Sequence, residues 1–426
     1  MRMGGRLAAA MEVLADIETR QRPAAEALRD WGRTHRFAGG SDRAAIGNIV
    51  YDALRHKRSS GWLFASDTPR ALAFGALLLE WGKTPETINA LLDGDKFAPP
   101  LLSESELQTL HERLAANMPN EARANCPDWC IPLLQSSYGK DWAEEGAALA
   151  SRPPLDLRTN LLKGKRDTLL TELLATQAAK TEIAPHGIRI PPIEGSGRHP
   201  NVQTGKAFAT GRFEVQDEGS QIVAELTVVR PGMQVLDYCA GAGGKSLTLS
   251  AMMDNQGQIF AHDALPARLA PIAERIKRAG SRNIQIAAGA SGLGPLENRM
   301  DLVLVDAPCT GSGTWRRRPD TKWRLTRQQL DARLADQAGI LDIAANYVKS
   351  GGLLAYVTCS IFPDENENQI KAFLARTPDF HPEDHAALWS QHFPGHENRV
   401  RIGTGISLSP ARSGTDGFYF CALRRN

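Results

Sequence analysis

The 426 residues exceed one ordinary domain, and 42% hydrophobic with 23% charged residues exclude the disordered and fibrous classes. A formal charge of +2 announces no global field for nucleic acid, so any such binding would have to rest on local patches. Six cysteines without a secretory signal read as reduced thiols, and no apolar run approaches the length of a membrane span, which predicts a cytoplasmic protein.

In chain order, the first third is predicted helical. Leu7, Met11, Leu14 and Ile17 recur at helical spacing, as do Ile46, Val50 and Leu54 behind Ser41 as a cap. Thr84-Pro85 marks another helix start, and Ser103 with Glu106 a capping box. Nothing here looks catalytic. The basic run "RHKRSSGW" (Arg55 to Trp62) reads equally as a solvated face or an RNA patch. Past "NMPNEARANCPDW", residues 127–208 alternate extended stretches ("PLDLRTNLL", "TEIAPHGIRIPPI") with a helix-like one and a turn-rich segment, a small α+β unit. Cys126 and Cys130 lack further ligands at zinc spacing, so no metal site is expected.

From about Gly211 strands and helices alternate. "MQVLDYC", "GQIFAHD", "IQIAAGA", "MDLVLVDAP" and "GLLAYVTCS" are predicted strands. "KSLTLSAMM", "ARLAPIAERIKRAG" (one helix ending at Gly280) and about Arg327 to Val348 are predicted helices. The pattern argues a parallel sheet with helices on both faces, whose ligands lie beyond the carboxyl ends of the strands.

The stretch "VLDYCAGAGGKS" (Val235 to Ser246) tests that expectation. A triphosphate loop needs glycine where Cys239 stands, and a dinucleotide fingerprint needs glycine where Ser246 stands. What is left is a strand, a glycine turn and an acid, Asp263, twenty residues after Gly243, placed to accept the hydroxyls of a ribose. Adenosine recognition without an obligatory pyrophosphate fits S-adenosylmethionine best.

Cys309, in "DAPCTGSG", and Cys359, in "YVTCSIFPDENENQI", follow the fourth and fifth strands of this series. If those strands are neighbours, the cysteines stand about 5 Å apart in the hydrogen-bonding direction. Cytosine C5 is too poor a nucleophile to take a methyl group from a sulfonium unaided. A thiolate adding to C6 makes C5 enamine-like, and an acid at the N3 edge, here Asp306, stabilises the displaced charge. Cys239 and Cys421 read as structural.

These motifs, with "FEVQDEGSQ" before and "SGTDGFYFCAL" after, resemble the RNA 5-methylcytosine methyltransferase family, in particular its ribosomal RNA small-subunit methyltransferase B (Fmu/Sun) branch. The resemblance covers nearly the whole chain. It implies an α/β fold: a Rossmann-like S-adenosylmethionine-dependent methyltransferase domain at 211–426, preceded by an all-α NusB-like RNA-binding domain at 1–125 and a small α+β domain at 126–210. It places the nucleophile on Cys359 and the cysteine that helps release the methylated base on Cys309. The donor site falls on Cys239, Ala240, Gly241, Ala242, Gly243, Gly244, Lys245, Asp263 and Asp306. It departs from the family at Ala242, often proline there, and at Gly289-Ala290-Ser291, where an aspartate near the adenine is usual.

The arginines Arg316, Arg317 and Arg318, bracketed by Trp315 and Trp323, are expected to hold substrate RNA. The whole reads as a monomeric RNA cytosine-5 methyltransferase acting on ribosomal RNA, with no metal and no membrane. The alternatives are a tRNA substrate, a non-catalytic ribosome-assembly factor that kept the fold, and a DNA-type enzyme in which Cys309 would be the nucleophile.

Overall fold

The structure is a computed structural model that describes residues 1–287 and 289–426, and of Ala290 and Ser291 the backbone alone. The missing acid inferred at Ala290 therefore lies outside the described side chains. The chain forms two compact units. One comprises Met1–Pro153, Pro192–His199 and Thr314–Leu325; the other comprises Pro154–Pro191, Pro200–Gly313 and Thr326–Asn426.

The first unit is helical. Met3–Arg20, Gly40–Arg55 and Pro69–Leu79 bury their apolar faces around Leu7, Ile46 and Phe74. Thr84 and Ser103 cap their helices as expected, but Ser41 does not: its helix begins a residue earlier, and the Asp42 carboxylate accepts the Gly39 N–H at 3.3 Å instead. The run Arg55 to Trp62 is not a uniform patch. Arg55 is buried and gives Nη1 to Asp52 at 2.7 Å, and Asp52, fully buried, also accepts Trp81 Nε1 at 2.9 Å and Arg152 Nε at 3.0 Å. A charge so completely paired belongs to the core and not to an RNA-facing surface. Within this unit the segment Thr314–Leu325 is fastened to the helix Gly40–Arg55. Trp323 Nε1 donates to Leu54 O at 2.6 Å, Lys322 Nζ to Arg55 O at 3.0 Å, and Arg55 Nε to Arg316 O at 2.9 Å.

The second unit holds two sheets. In the smaller, β1 (Leu155–Thr159) lies between β3 (Gly187–Ile190) and β4 (Phe213–Val215), with β2 (Ala179–Lys180) outside β3, all antiparallel. The larger sheet contains β5 (Gln234–Asp237), β6 (Gln258–Ala261), β7 (Ile284–Ile286), β8 (Met300–Asp306), β9 (Val348–Thr358), β10 (Phe380–Pro382), β11 (Arg401–Ile402), β12 (Ile406–Leu408) and β13 (Phe418–Arg425). Its order is β11-β12-β13-β9-β8-β5-β6-β7, with β10 also on β13; β7 through β9 run parallel and β13 pairs antiparallel with β9.

Leu302, Val303, Leu304 and Val305 have no exposed surface, as a strand covered on both faces requires. The strand order reverses between β5 and β8, so the ends of β5, β6, β8 and β9 surround the crevice where such sheets bind ligands. Two predicted elements differ. The stretch 266–280 is two short helices, Pro266–Leu269 and Ile272–Ala279, interrupted before Ile272 by Pro271, which has no N–H for a helix interior. The long helix ends at Ala344, and Val348 already begins β9.

Candidate active site

The chain turns out of β5 at Asp237 into residues 238–243 and enters the helix Gly244–Met252. Gly241 and Gly243 have φ of +52° and +80°, conformations that suit glycine. At Gly243 a Cβ would also meet Ile272 Cγ1 at 2.5 Å. Asp263, just past β6 and nearly buried, holds this turn. Its Oδ2 accepts the Gly241 N–H at 3.1 Å and pairs with Arg268 at 3.1 Å, while Oδ1 accepts the Leu265 N–H at 3.0 Å.

The donor set fits an adenosyl ligand. A Cβ at Gly241 would stand 3.5 Å from Arg268 Nη2 and 4.0 Å from Asp263 Oδ2, so glycine leaves space beside that carboxylate. Lys245, on the first turn of the helix, gives Nζ to Asp306 Oδ2 at 2.6 Å. Burial lowers the Lys245 ammonium, but Asp306 more than compensates and leaves it above the ordinary lysine value. Asp237 is fully buried and accepts the Ser246 hydroxyl at 2.6 Å; burial pushes it up to about 7, and its Oδ1 has no hydrogen-bond partner.

The two cysteines meet at the neighbouring ends of β8 and β9. Asp306 registers with Val357, and three residues beyond β8 the Cys309 sulfur lies 3.5 Å from the Cys359 sulfur. Both are partly exposed, whereas Cys126, Cys130, Cys239 and Cys421 are buried. The hydrogen bond to Cys359, then burial and the negative charges of Cys359 and Glu365, raise the Cys309 thiol well above its usual range. Of this pair, Cys309 is the thiol whose surroundings oppose ionisation. Burial pushes Cys126 up to about 11 and raises the other three as well, which keeps all four inert.

Three side chains absent from the sequence-level candidates brace these loops. Glu365, Asn366 and Gln337 are buried between Cys309 and Cys359 neighbours, and Gln337 Nε2 donates both to Pro308 O and to Glu365 Oε1 at 3.0 Å. Asn366 stands in the motif "YVTCSIFPDENENQI", seven residues past Cys359, but nothing in the spacing says that its side chain turns back onto the cysteine loop. Of the arginine triplet, Arg316 is buried, Arg317 half-buried and Arg318 exposed.

The family "16S rRNA methyltransferase RsmB/F" matches residues 226–424, and a ferredoxin-like domain of RsmF/B-like methyltransferases matches residues 126–192. Over 324 residues the chain is 34% identical to the ribosomal RNA small subunit methyltransferase B of Citrobacter koseri, covering 75% of this chain and 71% of that one. The chain belongs to the ribosomal RNA small subunit methyltransferase B family. Another relative, a probable member from Synechocystis, is 34% identical over 70% of this chain; the match spans 66% of that relative's length, just short of two thirds.

Two solved structures share the fold. One is a methyltransferase homologue from Pyrococcus horikoshii, with TM-score 0.58 and 24% identity over 72% of this chain and 98% of that one. The other is NSun6 from the same organism, solved with SFG, with TM-score 0.59 and 20% identity over 70% and 98%. Family membership establishes S-adenosylmethionine as the methyl donor. Among the described residues no cluster of side chains could hold a metal ion, and no helix is long and apolar enough to cross a membrane.

Proposed function

We propose that this protein is an S-adenosylmethionine-dependent RNA cytosine-5 methyltransferase that acts on ribosomal RNA in the cytoplasm, as a monomer. The observation that carries this reading is the pair of partly exposed sulfurs 3.5 Å apart, beside the Lys245–Asp306 ion pair. Names of relatives that specify small-subunit ribosomal RNA support the substrate class.

The donor site comprises the turn Cys239 to Lys245, with Asp263 towards the ribose and Asp306 nearby. S-adenosylmethionine, when bound there, supplies an electrophilic methyl group. Cys359, as thiolate, forms a bond to C6 of the cytosine and pushes electron density onto C5 and N3. Asp306, which accepts from Lys245 Nζ at 2.6 Å, is assigned to the N3 edge, where a proton passed from the Lys245 ammonium through its carboxyl group would neutralise that charge. Once C5 carries the methyl group, a base takes the C5 proton, the Cys359–C6 bond breaks, and the ring regains its double bond. Cys309 keeps its proton and gives a hydrogen bond to the Cys359 sulfur, which stabilises the departing thiolate.

RNA phosphate contacts are assigned to Arg318 and the half-buried Arg317, while Arg316, expected beside them, is buried and is not assigned one. The division into a helical segment 1–125, a small α+β segment 126–210 and a catalytic segment 211–426 belongs to the same reading. Bisulfite sequencing of ribosomal RNA from a strain lacking the protein tests it: a cytosine protected in the parent becomes convertible in the deletion strain. An unchanged protection pattern across ribosomal RNA would contradict that substrate.

A further inference from the structure

Glu365 has no exposed surface, yet it lies within reach of both cysteine loops. Its Oε1 accepts the backbone N–H of Thr310 at 2.8 Å and Gln337 Nε2 at 3.0 Å. Its Oε2 accepts the Thr310 hydroxyl at 2.5 Å and the Ser360 hydroxyl. Thr310 directly follows Cys309, and Ser360 directly follows Cys359, so one carboxyl group grips the residue after each thiol.

The surroundings hold that carboxyl group in turn. The Tyr356 hydroxyl, from β9, donates to Glu365 O at 2.8 Å, and Gln337 also binds Pro308 O, the residue before Cys309. Asn366 completes the brace on the other side: it accepts the Thr358 hydroxyl at 2.5 Å and donates to Ser360 O at 2.9 Å, bracketing Cys359. A carboxyl group that satisfies this many buried donors costs little to bury, but losing it strands all of them.

We propose that Glu365 is a positioning residue that ties the loop of Cys309 to the loop of Cys359 and so fixes which of the two thiols attacks. Its consequence for catalysis rests on the cytosine-5 reading; its effect on the thiols does not. The Glu365 charge sits close enough to Cys309 to help hold the proton there. Removing the charge takes away one of the influences that keep the proton on Cys309, and an amide cannot accept from all four donors, so the tie between the two loops loosens.

The test is alkylation of the intact protein with iodoacetamide across the neutral to alkaline range, read at each cysteine by mass spectrometry. In the parent protein Cys359 is expected to react at least about tenfold faster than Cys309, since only the ionised thiol alkylates readily. In Glu365→Gln that preference collapses because Cys309 reacts faster, and its labelling begins at lower pH. Methyl transfer by the same variant falls in kcat while the KM for S-adenosylmethionine stays unchanged, since Asp263 and the glycine turn are untouched.

A folded Glu365→Gln protein with the parental labelling preference would overturn the proposal, as would equal labelling of both thiols in the parent. If Glu365→Gln does not fold, Thr310→Val decides. It removes one donor to the same carboxyl group, and a preference reduced in the same direction supports the role, whereas an unchanged preference overturns it. A parent protein that methylates no RNA but shows the Glu365-dependent preference would count against the cytosine-5 reading alone.

Discussion

Asp263, proposed for the ribose, also holds the loop that would receive the ligand. Its carboxylate accepts two backbone N–H groups and pairs with Arg268, so replacement by alanine would loosen the glycine turn as well as empty the ribose site. Asp263→Asn keeps the size and one acceptor while removing the charge. Charge-assisted acceptors of this kind contribute roughly 1.5–3 kcal/mol, so affinity for S-adenosylmethionine should fall about ten- to a hundredfold by calorimetry. Unchanged affinity would place the ribose elsewhere. At this scale the residues legible in the sequence were those with unusual chemistry in telling company: two thiols at strand ends, glycines in a turn, an acid after the next strand. The Lys245–Asp306 pair and the Glu365 brace were not legible, because each joins positions far apart in the chain through side chains that any polar loop contains.

At the scale of elements, near-continuous apolar runs foretold the parallel strands, since a strand buried on both faces is apolar at successive positions. Helix interruptions were harder. Pro271 splits its segment even though the apolar spacing continues across it. Harder still are contacts made by backbone alone. The loop after Cys309 passes against the start of β13: the Gly313 N–H donates to Cys359 O at 3.0 Å, and the Gly417 N–H donates to Gly313 O at 2.9 Å. A Cβ at Gly313 would stand 2.1 Å from Gly417 O, and backbone cannot yield as a flexible side chain would. Gly313→Ala should therefore cost on the order of 1–3 kcal/mol of stability and shift the Cys309 loop. Thermal unfolding should report the first effect, and a lower kcat with unaltered donor affinity the second. Full activity with parental stability would mean that the loop accommodates the methyl group.

For the molecule as a whole, the sequence reads as consecutive segments, while compactness groups the chain differently. Residues Thr314–Leu325, which follow the loop of Cys309, group with the helical unit, and so do Pro192–His199, which follow β3. Composition reports where a segment changes character, not which distant segment it packs against. The proposed chemistry lies within one unit, where β5, β6, β8 and β9 end, and turns on the division of labour assigned to Cys309 and Cys359. Trapping the covalent complex tests that division most directly. Incubated with substrate RNA and S-adenosylmethionine, Cys309→Ala should accumulate a denaturant-resistant, nuclease-sensitive band, because attack proceeds but the leaving thiolate has lost its hydrogen-bond donor. Cys359→Ala should give no band and no methylation while still binding the donor, and adding it to Cys309→Ala should erase the trapped species. A band formed by Cys359→Ala instead would make Cys309 the nucleophile and contradict the account.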